Sequence, residues 1–179
     1  MLFDVDGTLM HAGTAGRSVF ERAVEAVLGG LPDVSVRMGG KTDPLIVREY
    51  LALAGASDPA HFGAVIRRLE HETALAAGEI AIDGRACAGV PQLLSLLSAD
   101  ERLHLSVLTG NIAPNAVVKL SAFGLDRWLD LETGAYGSDS EDRKALVPIA
   151  LERVKALRGV HLRPDDVWVI GDTPRDCEC

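Results

Sequence analysis

The chain has 179 residues, of which 47% are hydrophobic and 25% charged, enough for one core domain with a modest insertion and an apolar core of useful size. A formal net charge of −8, without a concentrated basic tract, argues against nucleic acid or an anionic membrane surface as principal partner. No apolar run approaches the roughly 18 residues of a membrane span. The first residues lack a basic, then apolar, leader, so the expected compartment is cytoplasmic. The three cysteines, Cys87, Cys177 and Cys179, are odd in number and scattered, which excludes a disulfide framework, and the Cys177-x-Cys179 pair has no partner cluster to complete a metal site.

In chain order, Leu2-Phe3-Asp4-Val5-Asp6 reads as an apolar strand that gives out into two carboxylates. At positions i and i+2 they point to one side of the strand, at the C-terminal edge where open α/β sheets bind ligands. Gly7 lets the chain turn away there. Helical periodicity follows over residues 16–28, with Val19, Phe20, Ala23, Val24, Val27 and Leu28 on one face. A second helix starts near Asp43-Pro44, with Asp as cap and Pro in the first turn, and runs through Leu51. A third covers residues 61–77, with Phe62, Val65, Ile66, Leu69 and Leu75 as its buried stripe. Three helices before Gly84 form an inserted helical layer. Beyond it the pattern predicts helix 90–97, strand 103–108, helix 113–123, a short strand at 129–131, helix 143–157 and strand 167–170. That alternation implies a parallel sheet with crossover helices. Residues 134–142 read as a polar loop at the same sheet edge as the acids. Trp128 and Trp168 read as core aromatics, and the five histidines as surface or packing residues.

The acidic pair suits a hard divalent cation such as Mg²⁺, which takes carboxylate and carbonyl oxygens and keeps exchangeable waters for phosphate. Asp4-Val5-Asp6-Gly7-Thr8-Leu9 resembles the first motif of the haloacid dehalogenase superfamily, and the superfamily's other three motifs can be placed in order. Leu103 to Leu108 runs into Thr109-Gly110-Asn111. Arg143-Lys144 precede the periodic Leu146, Val147, Ile149, Ala150 and Val154. Val167 to Ile170 runs into Gly171-Asp172-Thr173-Pro174-Arg175-Asp176. The resemblance spans essentially the whole chain and implies a Rossmann-like α/β core, residues 1–12 and 84–179, interrupted by a helical C1-type cap, residues 13–83.

What the resemblance implies chemically is phosphoryl transfer to a carboxylate. Asp4 is the expected nucleophile. Asp6 is the expected acid and base, and its backbone carbonyl the expected contact to Mg²⁺. Thr109, with the amides of Gly110 and Asn111, is expected at a phosphoryl oxygen. Asp4 and Asp172 are expected to bind the metal directly, with Asp176 holding a metal-bound water or orienting the loop. The third motif is looser, because related phosphoglycolate phosphatases show Lys-Pro where this chain has Arg143-Lys144-Ala145. Arg143 is favoured, since Asp142 sits like an N-cap and a guanidinium binds phosphate in a bidentate way, and Lys144 is the alternative. The dehalogenases themselves typically lack an acid at the second position, so Asp6 points to phosphate rather than halide.

In the cap, the segment Arg37 to Asp43 resembles a loop that reaches over substrate, with Lys41 the candidate for its far, anionic end. The expected substrate is a small phosphorylated metabolite of the phosphoglycolate type. Two other readings use the same residues. One is a sugar phosphomutase. The other is a C-terminally truncated remnant, since the chain stops three residues past Asp176, that binds phosphate and Mg²⁺ without turnover.

Overall fold

The computed structural model describes residues 1–33 and 35–179. Its centre is a four-stranded parallel sheet in the order β5-β4-β1-β6: β1 is Leu2–Phe3, β4 Ser106–Thr109, β5 Ala135–Tyr136 and β6 Val169–Ile170. β1 is flanked on both sides, Leu2 and Phe3 pairing with Ser106 and Val107 and with Val169 and Ile170. A strand enclosed in this way reads as a continuous apolar run, as Leu2, Phe3, Val107 and Leu108 do. The crossovers are α5 (Val90–Ser98), α6 (Ala113–Ser121) and α7 (Leu146–Arg158). Because the strands are parallel, the residues that follow β1, β4 and β6 come out at one edge.

The chain leaves this sheet through β2 (Met10–His11) and returns through β3 (Arg85–Ala86), which pair antiparallel, Met10 with Ala86 and His11 with Arg85. Two-residue strands carry too little periodicity to be read from sequence. Between them, among the described residues, lie four helices, not the three expected: α1 (Ala15–Leu28), α2 (Asp43–Leu53), α3 (Pro59–Leu75) and α4 (Ala77–Asp83). Thr42, not Asp43, caps α2, its hydroxyl accepting from the Leu45 amide at 3.4 Å. The inner face of α3 runs Val65, Leu69, Glu72 and Thr73, which leaves Leu75 66% exposed instead of buried. Glu72 can be buried there because Arg22 and Arg68 meet it at 3.0 and 2.7 Å.

One apolar cluster joins sheet and helices, from Phe3, Val5 and Val107 through Val19, Phe20 and Val24 to Val65 and Leu69. A smaller one, Leu2, Leu108, Ala135, Leu146 and Ala150, packs α7 on the sheet. The strand expected at 129–131 is instead at Ala135–Tyr136, inside the stretch read as a polar loop. Residues 129–131 are held as a turn: the Ser106 hydroxyl donates to the Asp130 carbonyl at 2.7 Å and the Tyr136 hydroxyl to the Leu131 carbonyl at 2.6 Å. Trp128 is partly buried against the core, but Trp168 is 71% exposed, contrary to expectation.

The helical layer meets the sheet edge through backbone at Gly110, whose carbonyl accepts from the Asp43 amide at 2.7 Å. A Cβ at Gly110 would lie 2.2 Å from the Lys41 carbonyl oxygen. Gly110→Ala is therefore expected to lower stability by about 1–3 kcal/mol, the cost of forcing backbone apart in a packed site, measured by urea unfolding.

Candidate active site

Four turns converge where the parallel strands end. The turn after β1 carries Asp4 and Asp6, β4 ends in Thr109 with Gly110 and Asn111 in the turn that follows, and the turn after β6 carries Asp172 and Asp176. The segment after β5 brings Arg143. They surround a cavity of about 410 Å³, closed on its far side by the 38–41 segment and the start of α1. Gly7, at φ 89°, makes the tight turn that the motif requires, and a Cβ there would lie 2.3 Å from the Asp172 carboxylate.

Asp4, Asp172 and Asp176 can place carboxylate oxygens within 4.8 Å of one another. Arg143 is buried between two of them, with Nη2 3.1 Å from Asp4 Oδ1 and in contact with Asp176 Oδ1. Its Nε is buried with no partner among the described residues, so the guanidinium keeps a donor to spare. The other Asp176 oxygen accepts from the Thr173 amide and hydroxyl at 2.9 and 2.8 Å, which fits a residue that orients the loop. Asp172 is exposed, and its carboxylate accepts from the Thr8 hydroxyl at 3.3 Å. Burial pushes the Asp4 carboxyl up to about 6 despite the pull of Arg143, with Asp6 and Asp176 adding to the rise. Three carboxylates against one guanidinium, all hard oxygen donors and one of them open to solvent, fit a divalent cation such as Mg²⁺.

The Asp6 side chain does not join that cluster; only its backbone remains as the expected metal contact. Its carboxylate is held by Lys119 at 2.9 and 2.8 Å and by Asn111 Nδ2 at 2.7 Å. Burial would raise the Asp6 carboxyl, but the Lys119 ammonium and these hydrogen bonds outweigh it and hold it below the ordinary carboxylate range. Lys119 and Asp43 are the functional-site residues that sequence reasoning missed.

Thr109 lines the cavity fully buried, its hydroxyl oxygen accepting from Asn111 Nδ2 and the Asn111 amide, which leaves its proton free to donate inward. Lys41 lines the cavity but pairs with Glu49 at 2.5 Å. Arg143 and Lys144 are separated by the 3₁₀ turn they share. Arg143 faces Asp4, whereas Lys144 points outward, 63% exposed and 3.9 Å from Glu178, so Lys144 does not belong to the site. Asp142 caps that turn, accepting from the Lys144 amide at 3.0 Å.

Asp43 lies on the cavity wall, accepting from the Ile112 amide at 2.9 Å and Asn115 Nδ2 at 3.4 Å. Burial pushes its carboxyl up to about 6, against the pull of Lys119. Because this value stands above the unfolded one, the stabilisation is complete below about pH 4 and is lost as pH rises through about 6. In urea unfolding with chelator present, the wild type is expected to lose on the order of 2 kcal/mol more than Asp43→Asn between those limits.

The family model described as haloacid dehalogenase-like hydrolase matches residues 1–179. No curated protein is detectably similar in sequence. Among solved structures, a predicted phosphoglycolate phosphatase from Haemophilus somnus superposes with a TM-score of 0.63 at 21% identity, over 97% of this chain and 76% of that one. A predicted phosphatase from Clostridium acetobutylicum gives 0.65 at 21%, over 98% and 76%. CbbY from Rhodobacter sphaeroides, in complex with phosphate, gives 0.66 at 18%, over 97% and 77%. At these identities the likeness establishes the α/β fold.

Proposed function

The chain belongs to the haloacid dehalogenase-like hydrolases, and from that premise we propose that it is a Mg²⁺-dependent phosphatase acting on a small phosphomonoester through an aspartyl phosphate. The observation that carries this reading is the separation of the acidic pair: Asp4 faces Arg143 and the acidic cluster, while Asp6, two residues on, faces Lys119 and Asn111. In this reading one carboxylate attacks and the other carries a proton.

In this reading Asp4 and Asp172, with the Asp6 carbonyl, would hold the cation, and Asp176 would fix the loop. When bound, the cation would supply neutralisation of the charge on nucleophile and ester. Arg143 orients Asp4 beside the phosphoryl group, and the Thr109 hydroxyl with the Gly110 amide offers donors to its oxygens. An Asp4 carboxylate oxygen forms the new bond to phosphorus as the bond to the ester oxygen breaks, and the departing oxygen takes the Asp6 proton. The arriving phosphate adds negative charge beside Asp6, which favours its protonated form for this step. Asp6, now ionised, takes a proton from water as that water attacks the aspartyl phosphate, releasing inorganic phosphate and restoring Asp4.

Residues 13–83 act as the cap over residues 1–12 and 84–179 and exclude water from the acyl phosphate. The cavity volume suits a metabolite rather than a nucleic acid or membrane surface, and Arg17 and His11 on its wall suit a second anionic group. A phosphoglycolate-like compound matches that description.

With p-nitrophenyl phosphate, turnover is expected to require Mg²⁺, to stop with chelator and to disappear in Asp4→Asn, while Asp6→Asn lowers kcat by roughly 10²–10⁴-fold. Inorganic phosphate as the product from a sugar phosphate supports the hydrolase, and an isomeric sugar phosphate would identify a mutase. A folded, inactive chain would favour binding of phosphate and Mg²⁺ without turnover.

A further inference from the structure

Lys119 is a lysine on the inner face of a helix. It shares that face of α6 with Asn115, Ala116 and Leu120, and it is 5% exposed. Helical side chains lean toward the N-terminus, so a long side chain from the last turn of α6 can run back to the turn that starts the helix, where Asn111 lies. There the ammonium donates to Asp6 Oδ1 and Oδ2 at 2.9 and 2.8 Å and to Asn111 Oδ1 at 2.7 Å. One ammonium proton is shared between the two oxygens of the Asp6 carboxylate and another goes to Asn111, so a single cation holds both groups. Asn111 closes the arrangement, its Nδ2 donating both to Asp6 Oδ2 at 2.7 Å and to Thr109 Oγ1 at 2.8 Å.

We propose that Lys119 is the positioning residue for Asp6: together with Asn111 it fixes the carboxyl group that serves as acid and base. This rests on the phosphatase reading above. Lys119 spends its contacts on Asp6 and Asn111, and Arg143 on Asp4 and Asp176, so the two buried cations divide the work. Arg143 serves the carboxylate that attacks, and Lys119 the carboxyl that moves the proton. Asn111 links this clamp to Thr109 and hence to the phosphoryl-binding turn, so Asp6 and the bound ester are referenced to one rigid unit.

The test uses leaving groups. In Lys119→Met, kcat/KM for an alkyl phosphate, whose alkoxide must be protonated, is expected to fall by about 100-fold, the scale of a small misplacement of a reacting group. For 2,4-dinitrophenyl phosphate, whose leaving group needs no proton, kcat/KM is expected to change by less than about threefold while kcat falls, giving a burst of dinitrophenolate before slow hydrolysis of the acyl enzyme. Equal losses of kcat/KM on both esters would overturn the proposal, because a structural or phosphate-binding lysine does not distinguish leaving groups.

The double variant Asp6→Asn/Lys119→Met removes both charges and decides the matter if Lys119→Met alone does not fold. Activity equal to that of Asp6→Asn supports action through Asp6, and a further loss refutes it. A wild type that hydrolyses neither ester overturns the phosphatase reading and this inference together, whereas wild-type turnover with equal losses in Lys119→Met overturns this inference alone.

Discussion

Five carboxylates crowd the C-terminal edge of the sheet, and two buried cations make the crowding tolerable. Asp4, Asp43 and Asp176 are buried, and Asp6 and Asp172 stand on the cavity wall. A buried carboxylate without a partner is expensive, and several together repel. Arg143 bridges Asp4 and Asp176, and Lys119 meets Asp6 with Asp43 close enough to raise the ammonium's affinity for its proton further. Neither cation is local in sequence to its partner, Lys119 and Asp6 being 113 residues apart. The site is thus assembled by the sheet and cannot exist in any fragment of it.

The sheet's direction does the assembling. β1, β4 and β6 run parallel, so their C-terminal turns meet, and close approach between those turns requires glycine at specific places. Gly7 makes room for the Asp172 carboxylate, and Gly171 for that of Asp176, whose Cγ would lie 2.0 Å from an added Cβ. The same edge receives the helical layer at Gly110. Backbone contact at that point ties the cavity's far wall to the turn that carries Thr109 and Asn111.

Much of this was legible because it is local. The motif acids sit at strand ends whose apolar runs announce them, and Asp142 marked the turn that aims Arg143. What escaped lacked a local signal or had one that pointed elsewhere. The pair Ala135–Tyr136 is too short for an alternating pattern, and its polar neighbours made the stretch look like a loop. Trp168 is apolar by type, yet the edge of the sheet leaves it in solvent. Lys119 did carry a signal: Ala116 and Leu120 flank it at the spacing of an inner helix face, where a lysine is out of place unless an acid waits for it. That acid lay at the opposite end of the chain, beyond the reach of any pattern within the helix.

Asp4 and Asp6 lie two residues apart yet meet different partners. Burial lifts the Asp4 carboxyl to about 6 against the pull of Arg143, whereas Lys119 and Asn111 outweigh burial and hold the Asp6 carboxyl low. In the proposed reading, a cation held by Asp4 and Asp172 would lower the affinity of Asp4 for a proton, and the charge of a bound phosphate would raise that of Asp6. Lys119 and Asn111 would then keep Asp6 in place while its charge changes.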